Sequence, residues 1–119
     1  MVIAIPVRGT APDAPVEMRF ARAPHFLLFD EARGEWRALE NSQVLNAPQG
    51  AGIQAAETLV RAGVTAVLTA HCGPKAFRVL QAAGVTVYLG AAGTATEALQ
   101  AFQAGALTPA AGPDVEGHW

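Results

Sequence analysis

The stretch Ala62-Gly63-Val64-Thr65-Ala66-Val67-Leu68-Thr69-Ala70-His71-Cys72-Gly73-Pro74-Lys75-Ala76-Phe77-Arg78-Val79-Leu80-Gln81-Ala82-Ala83-Gly84-Val85-Thr86 decides the fold. It holds the tetrapeptide Ala-Gly-Val-Thr twice, at 62–65 and 83–86. Each copy reads as a helix stopped by glycine and followed by the start of a strand. Between the copies, Thr65 to Ala70 is a short apolar run of the buried-strand type. Pro74 to Ala83 is a helix with proline in its first turn and Phe77, Val79 and Leu80 turned inward. A strand, a helix and a strand in that order predict parallel strands joined by a right-handed crossover.

On the C-terminal side, Val85 to Leu89 is a strand and Thr94 to Ala104 a helix, with Thr94 as N-cap and Glu97 as its capping-box partner. On the N-terminal side, Ile53, Ala56, Leu59 and Val60 repeat at three- and four-residue spacing and predict a helix over 52–62 that ends at Gly63. Before it, His25 to Asp30 and Glu35 to Glu40 form a hairpin about Glu31-Ala32-Arg33-Gly34, its outer strand half exposed. Val2 to Pro6 is a central strand, and Arg8 to Pro15 is loop. The sum is one α/β domain with a mixed sheet over residues 1–107, followed by an irregular tail, 108–119.

A chain of 119 residues is one domain with a single core. Apolar residues make up 51% of it, yet no uninterrupted apolar stretch is long enough to span a bilayer, so no membrane partner is expected. Met1-Val2-Ile3-Ala4-Ile5-Pro6 reads as a first strand and not as a leader. A single cysteine excludes an internal disulfide and makes a cytoplasmic home the expectation. A net charge of -2 with scattered arginines offers no basic stripe for a phosphate backbone, which disfavours nucleic acid. Charged residues are only 15% of the chain, so some apolar surface is expected in a ligand groove or a homodimer interface.

The chemistry concentrates where the strand ending near Ala70 meets the helix starting at Pro74. His71, Cys72 and Gly73 stand at that junction, which collects backbone N–H groups and the positive end of a helix dipole. A cysteine there is expected to have a lowered pKa and to be poised as a thiolate, with His71 beside it as a second metal ligand or an outer contact. The plainer reading is that Cys72 is a small hydrophobe finishing a strand.

Gly50-Ala51-Gly52-Ile53-Gln54-Ala55 has the G-x-G-x-x-G/A spacing but lacks the preceding strand and the later acid of a dinucleotide site. It reads as a helix N-terminus with a flexible entry. Gly90-Ala91-Ala92-Gly93-Thr94 is a third junction of this kind. If the strands are parallel, Gly50, Gly52, Gly73 and Gly93 lie near the carboxyl ends of the sheet, where α/β ligands bind. Arg19 and Arg22, on either side of Phe20, form a candidate cationic lip. Asp114, Glu116 and His118 alternate along the tail and could catch a metal, though a frayed end is the expectation.

Four segments together carry a family resemblance: Arg19-Phe20-Ala21-Arg22-Ala23-Pro24-His25-Phe26, Gly50-Ala51-Gly52-Ile53, Gly73-Pro74-Lys75-Ala76-Phe77 and Ala83-Gly84-Val85-Thr86-Val87-Tyr88. The chain resembles the dinitrogenase iron-molybdenum cofactor biosynthesis family from Ile3 to about Leu107. The resemblance implies a ribonuclease-H-like α/β fold, with a five-stranded mixed sheet flanked by helices and without nuclease carboxylates. It also implies a small carrier or chaperone that binds an iron-sulfur cluster or iron-molybdenum cofactor precursor, with cofactor donor and acceptor proteins as partners. Gly73 and Pro74 match the family's Gly-Pro turn. His71 and Cys72 depart from the small or polar residues common there, and Ala21 stands where glycine is frequent.

The leading expectation is therefore a non-enzymatic carrier with Cys72 and His71 as metal ligands and the helix N-termini offsetting the cluster's negative charge. A cofactor-free regulatory or interaction module is the alternative. A small thiol-dependent enzyme using Cys72 is the third reading, and it requires a thiol of lowered pKa.

Overall fold

Every residue of Ile3–Val7 in the first strand, β1 (Val2–Val7), is buried, so both faces of the sheet are covered at this position. The computed structural model describes residues 1–41 and 50–114. After β1 the chain passes a 3-10 turn (Phe20–Arg22) and forms the hairpin β2 (His25–Asp30) and β3 (Glu35–Glu40). It continues with α1 (Ala51–Arg61), β4 (Ala66–Thr69), α2 (Pro74–Ala82), β5 (Thr86–Leu89), α3 (Ala95–Gln103) and β6 (Thr108–Pro109).

The sheet runs in the order β3-β2-β1-β4-β5-β6. β1, β4 and β5 are parallel, with Ile3 opposite Ala66 and Val67 opposite Val87, while β2, β3 and β6 are antiparallel to their neighbours. The mixed sheet agrees with expectation, but six strands are described and not five. The sixth, Thr108–Pro109, comes from the tail expected to be irregular, where Ala110 N–H donates to Val87 O and carries the pairing on past the strand. A two-residue edge strand containing proline has no periodicity for a sequence reading to detect.

Alternation along the strands sends side chains to two cores. Ala4, Phe26, Leu28, Val67 and Val87 face α1 and α2, together with Leu59, Phe77 and Leu80. Ile3, Ile5, Val7, Leu27 and Leu68 face the side of α3, with Ala95, Ala98 and Leu99. The domain is thus a three-layer sandwich of helices, sheet and helix. The helix spans match expectation to within a residue, but Ile53 does not point inward: it is exposed, and Ala51, Ala55, Ala56 and Leu59 form the buried stripe of α1. The reason is proximity. A Cβ on Gly52 would lie 3.4 Å from the Ala76 Cβ of α2 and 3.8 Å from that of Ala21, so the first turn of α1 accommodates only small side chains on this side.

The two Ala-Gly-Val-Thr repeats are matching helix ends. At the first, Gly63 N–H donates to Val60 O and Val64 N–H to Leu59 O; at the second, Gly84 N–H donates to Gln81 O and Val85 N–H to Leu80 O. Both glycines have positive φ, 82° and 78°, and both following valines are buried in the core under α1 and α2. These are Schellman ends, with the apolar contact that accompanies them. Gly84→Ala is expected to lower the unfolding free energy by about 1 kcal/mol, and Gly84→Asn by less, since asparagine tolerates the left-handed conformation better. Urea denaturation with an unchanged m-value checks this, and equal midpoints for wild type and Gly84→Ala would refute it.

Candidate functional site

Beyond Thr69 the chain leaves the sheet at the carboxyl end of β4. There His71 and Cys72 part company, as adjacent residues at a strand end should. His71 stays at the surface, with a third of its side chain exposed, while Cys72 is 1% exposed and packs in the core beneath α1 and α2. Thr69 Oγ1, fully buried, donates to His71 O at 3.1 Å and steadies the turn. Gly73 then serves as the N-cap residue of α2 with extended backbone, and Pro74 starts the helix, as the Gly-Pro dipeptide predicts.

The burial of Cys72 reverses the expected electrostatics. Removal from water, together with the nearby negative charge of Asp114, pushes its thiol from the ordinary value near 9 up to about 12. Desolvation outweighs the helix dipole, and the side chain is a neutral thiol at physiological pH.

Asp114 is the partner that sequence reasoning did not place. Its Oδ1 accepts the Cys72 N–H at 2.8 Å, and its Oδ2 lies 2.9 Å from His71 Nδ1. Its own N–H donates to Cys72 O at 3.2 Å. A carboxylate only accepts, so His71 Nδ1 carries the proton, and in the neutral ring Nε2 bears the lone pair. Asp114 was singled out in sequence as one of three alternating tail residues. The other two, Glu116 and His118, lie outside the described residues. No pattern in the chain could have linked Asp114 to His71, 43 positions away.

Around this junction the fold gathers some of the other candidates. Arg19 pairs in a parallel bridge with His71, and the 3-10 turn that follows buries Phe20 and Ala21 while carrying half-buried Arg22. Asn41, also missed in sequence, holds that turn in place: its Nδ2 donates to Ala23 O at 2.8 Å and its backbone N–H to Pro24 O at 3.0 Å. Gly50 is the N-cap residue of α1, and Gly52 brings the start of α1 against both Ala76 and Ala21. The N-termini of α1 and α2 therefore converge beside His71 and Arg19, and among the described residues neither has a side-chain cap.

Gly93 lies on the other side of the sheet, in a junction closed by the chain itself. Ala95 N–H donates to Ala14 O, Thr96 N–H to Pro12 O, and Glu97 N–H to Thr94 Oγ1 in the capping box foreseen from sequence. Gly93 has a φ of 75°, and its O accepts the Val16 N–H. Its glycine thus has a structural reason. Among the described residues, no three His, Cys, Asp or Glu side chains are arranged to hold a metal ion.

A model of the dinitrogenase iron-molybdenum cofactor family matches residues 1–105. The chain belongs to that family. It is 37% identical to the orange protein of Desulfovibrio gigas, solved in its apo form, with a TM-score of 0.92 and 96% of each chain covered. A Thermotoga protein solved by NMR as a candidate NifB protein is 36% identical, with a TM-score of 0.81 and 91% of each chain covered. An uncharacterized protein of Methanocaldococcus jannaschii is 26% identical over 112 residues, which cover 90% of this chain and 89% of that one.

A thiol whose pKa is raised by folding stabilises the native state fully below its unfolded pKa, and this contribution is lost as pH climbs toward the folded value. The stability gap between wild type and Cys72→Ala is therefore expected to be constant up to about pH 9 and to narrow between there and about 12. Denaturant midpoints for the two proteins across this range test it, and a gap that does not narrow would show the thiol to be unperturbed.

Proposed function

We propose that this chain is a non-catalytic carrier for an iron-sulfur cluster or iron-molybdenum cofactor precursor, taken from a donor protein and passed to an acceptor protein. The observation that carries this reading is the convergence of His71, Arg19 and the N-termini of α1 and α2 at the carboxyl end of the central strands, in a chain of this family. Thiolate- and sulfide-rich clusters are anionic, and helix N-termini, guanidinium groups and an imidazole are what an anionic cargo needs. Arg22 and the Gly50–Gly52 entry complete the rim.

Cys72 contributes its position more than its sulfur. With the side chain 1% exposed, Sγ reaches cargo only if the turn between β4 and α2 opens, and a metal must then displace the thiol proton. The first contact is therefore polar and weak, which suits cargo that has to be handed on. A thiolate-dependent enzyme lacks support, because its nucleophile would be a buried, protonated thiol.

Anaerobic reconstitution with ferrous iron and sulfide tests the reading through iron per chain and the visible charge-transfer band. Wild type is expected to take up iron, the double variant Arg19→Ala/Arg22→Ala to bind about 10-fold more weakly, and Cys72→Ser to keep most of its uptake. A colourless wild type without iron would remove the reading. Loss of all uptake in a folded Cys72→Ser would instead return Sγ to the role of ligand.

A further inference from the structure

The Asp114 carboxylate occupies the donors that an anion would use. One of its oxygens takes the Cys72 N–H at 2.8 Å, the other lies 2.9 Å from His71 Nδ1, and the residue's own N–H donates to Cys72 O at 3.2 Å. The attachment is superficial, with 29% of the Asp114 side chain and 33% of the His71 side chain exposed. The segment leading to it is short and runs over the surface. Ala110 is fixed to β5 through Val87 O, and then Ala111, Gly112 and Pro113 cross to Asp114. Ala111, Pro113 and Asp114 are exposed, and a Cβ on Gly112 would meet no atom within 4 Å.

From this we propose that the segment from Ala110 to Asp114 is an autoinhibitory strap, with the Asp114 carboxylate as an internal occupant of the anion site at Cys72 and His71. The strap lifts for an anionic cargo to bind and closes when the cargo leaves. This rests on the reading of the junction as the carrier's cargo site. A strap of this kind lowers apparent affinity by the fraction of time it is open, and so favours release over retention. It also keeps the Cys72 N–H paired when no cargo is present, which a bare strand end would not.

The test is a titration of the full-length protein with molybdate dianion at low ionic strength, followed by the amide resonances of Cys72 and His71. Asp114→Ala and Asp114→Asn are compared with wild type and with Asp13→Asn, which removes one negative charge from an exposed loop position. Both Asp114 variants are expected to bind about 10-fold more tightly than wild type, and Asp13→Asn to bind like wild type. Equal affinities for all four proteins would overturn the strap, as would failure of the Asp114 variants to bind at these amides. Either result leaves the carrier reading to iron uptake. Tighter molybdate binding by the Asp114 variants, alongside a wild type that takes up no iron and sulfide, would keep the strap and remove the carrier.

Discussion

The parallel pairing of β1 with β4 is the constraint on which the rest of the molecule depends. These two strands are buried on both faces, so helices must cover both sides of the sheet, and the crossover from β4 through α2 to the parallel β5 fixes where α2 begins. With α2 antiparallel to the strands, its N-terminus falls at the carboxyl end of β4. The small residues of α1, and Gly52 above all, let α1 approach until its own N-terminus lies beside that of α2. Two helix dipoles are thus aimed at one place as a consequence of core packing.

Within that place two effects compete for Cys72. A helix N-terminus favours a thiolate, and removal from water favours a thiol. Burial to 1% exposure settles the contest, and the carboxylate of Asp114 adds to it in the same direction. The outcome divides the labour of two adjacent residues. Cys72 anchors the turn to the core and offers its backbone N–H outward, while His71 presents its ring at the surface.

Much of the fold was legible in the chain because its signals are local. The hairpin strands β2 and β3, the Schellman glycines at 63 and 84 and the Thr94–Glu97 box each depend on a few neighbouring residues, and each lies where the sequence puts it. What could not be read depends on contacts distant in sequence. Ile53 has the periodicity of a buried residue, but the close approach of α2 and the 3-10 turn decides which stripe of α1 is covered. β6 exists only because β5 offers it an edge. Of the two readings the sequence left open for Cys72, poised thiolate or small hydrophobe, burial favours the second, because a thiol's pKa depends on exposure that neighbouring residues in sequence do not reveal. The closure of the Gly93 junction by carbonyls of residues 12 and 14 was equally beyond local pattern.

The two glycine-led helix starts on opposite sides of the sheet show how one local motif takes two roles. At α3 every early N–H finds an acceptor in the chain's own backbone or in the capping box, and the loop after β1 is sewn to the helix by Val16 N–H on Gly93 O. That junction is a rivet. Just ahead of α2 the Cys72 N–H takes its acceptor instead from a side chain on an exposed segment near the end of the described chain, held by contacts that solvent can reach. Backbone donors satisfied by backbone acceptors are released only when the fold opens, whereas donors satisfied by one surface carboxylate can exchange it for another anion at modest cost. The difference in who supplies the acceptor separates a helix start closed by the chain's own backbone from a junction whose outward donor is met by a carboxylate that solvent can reach.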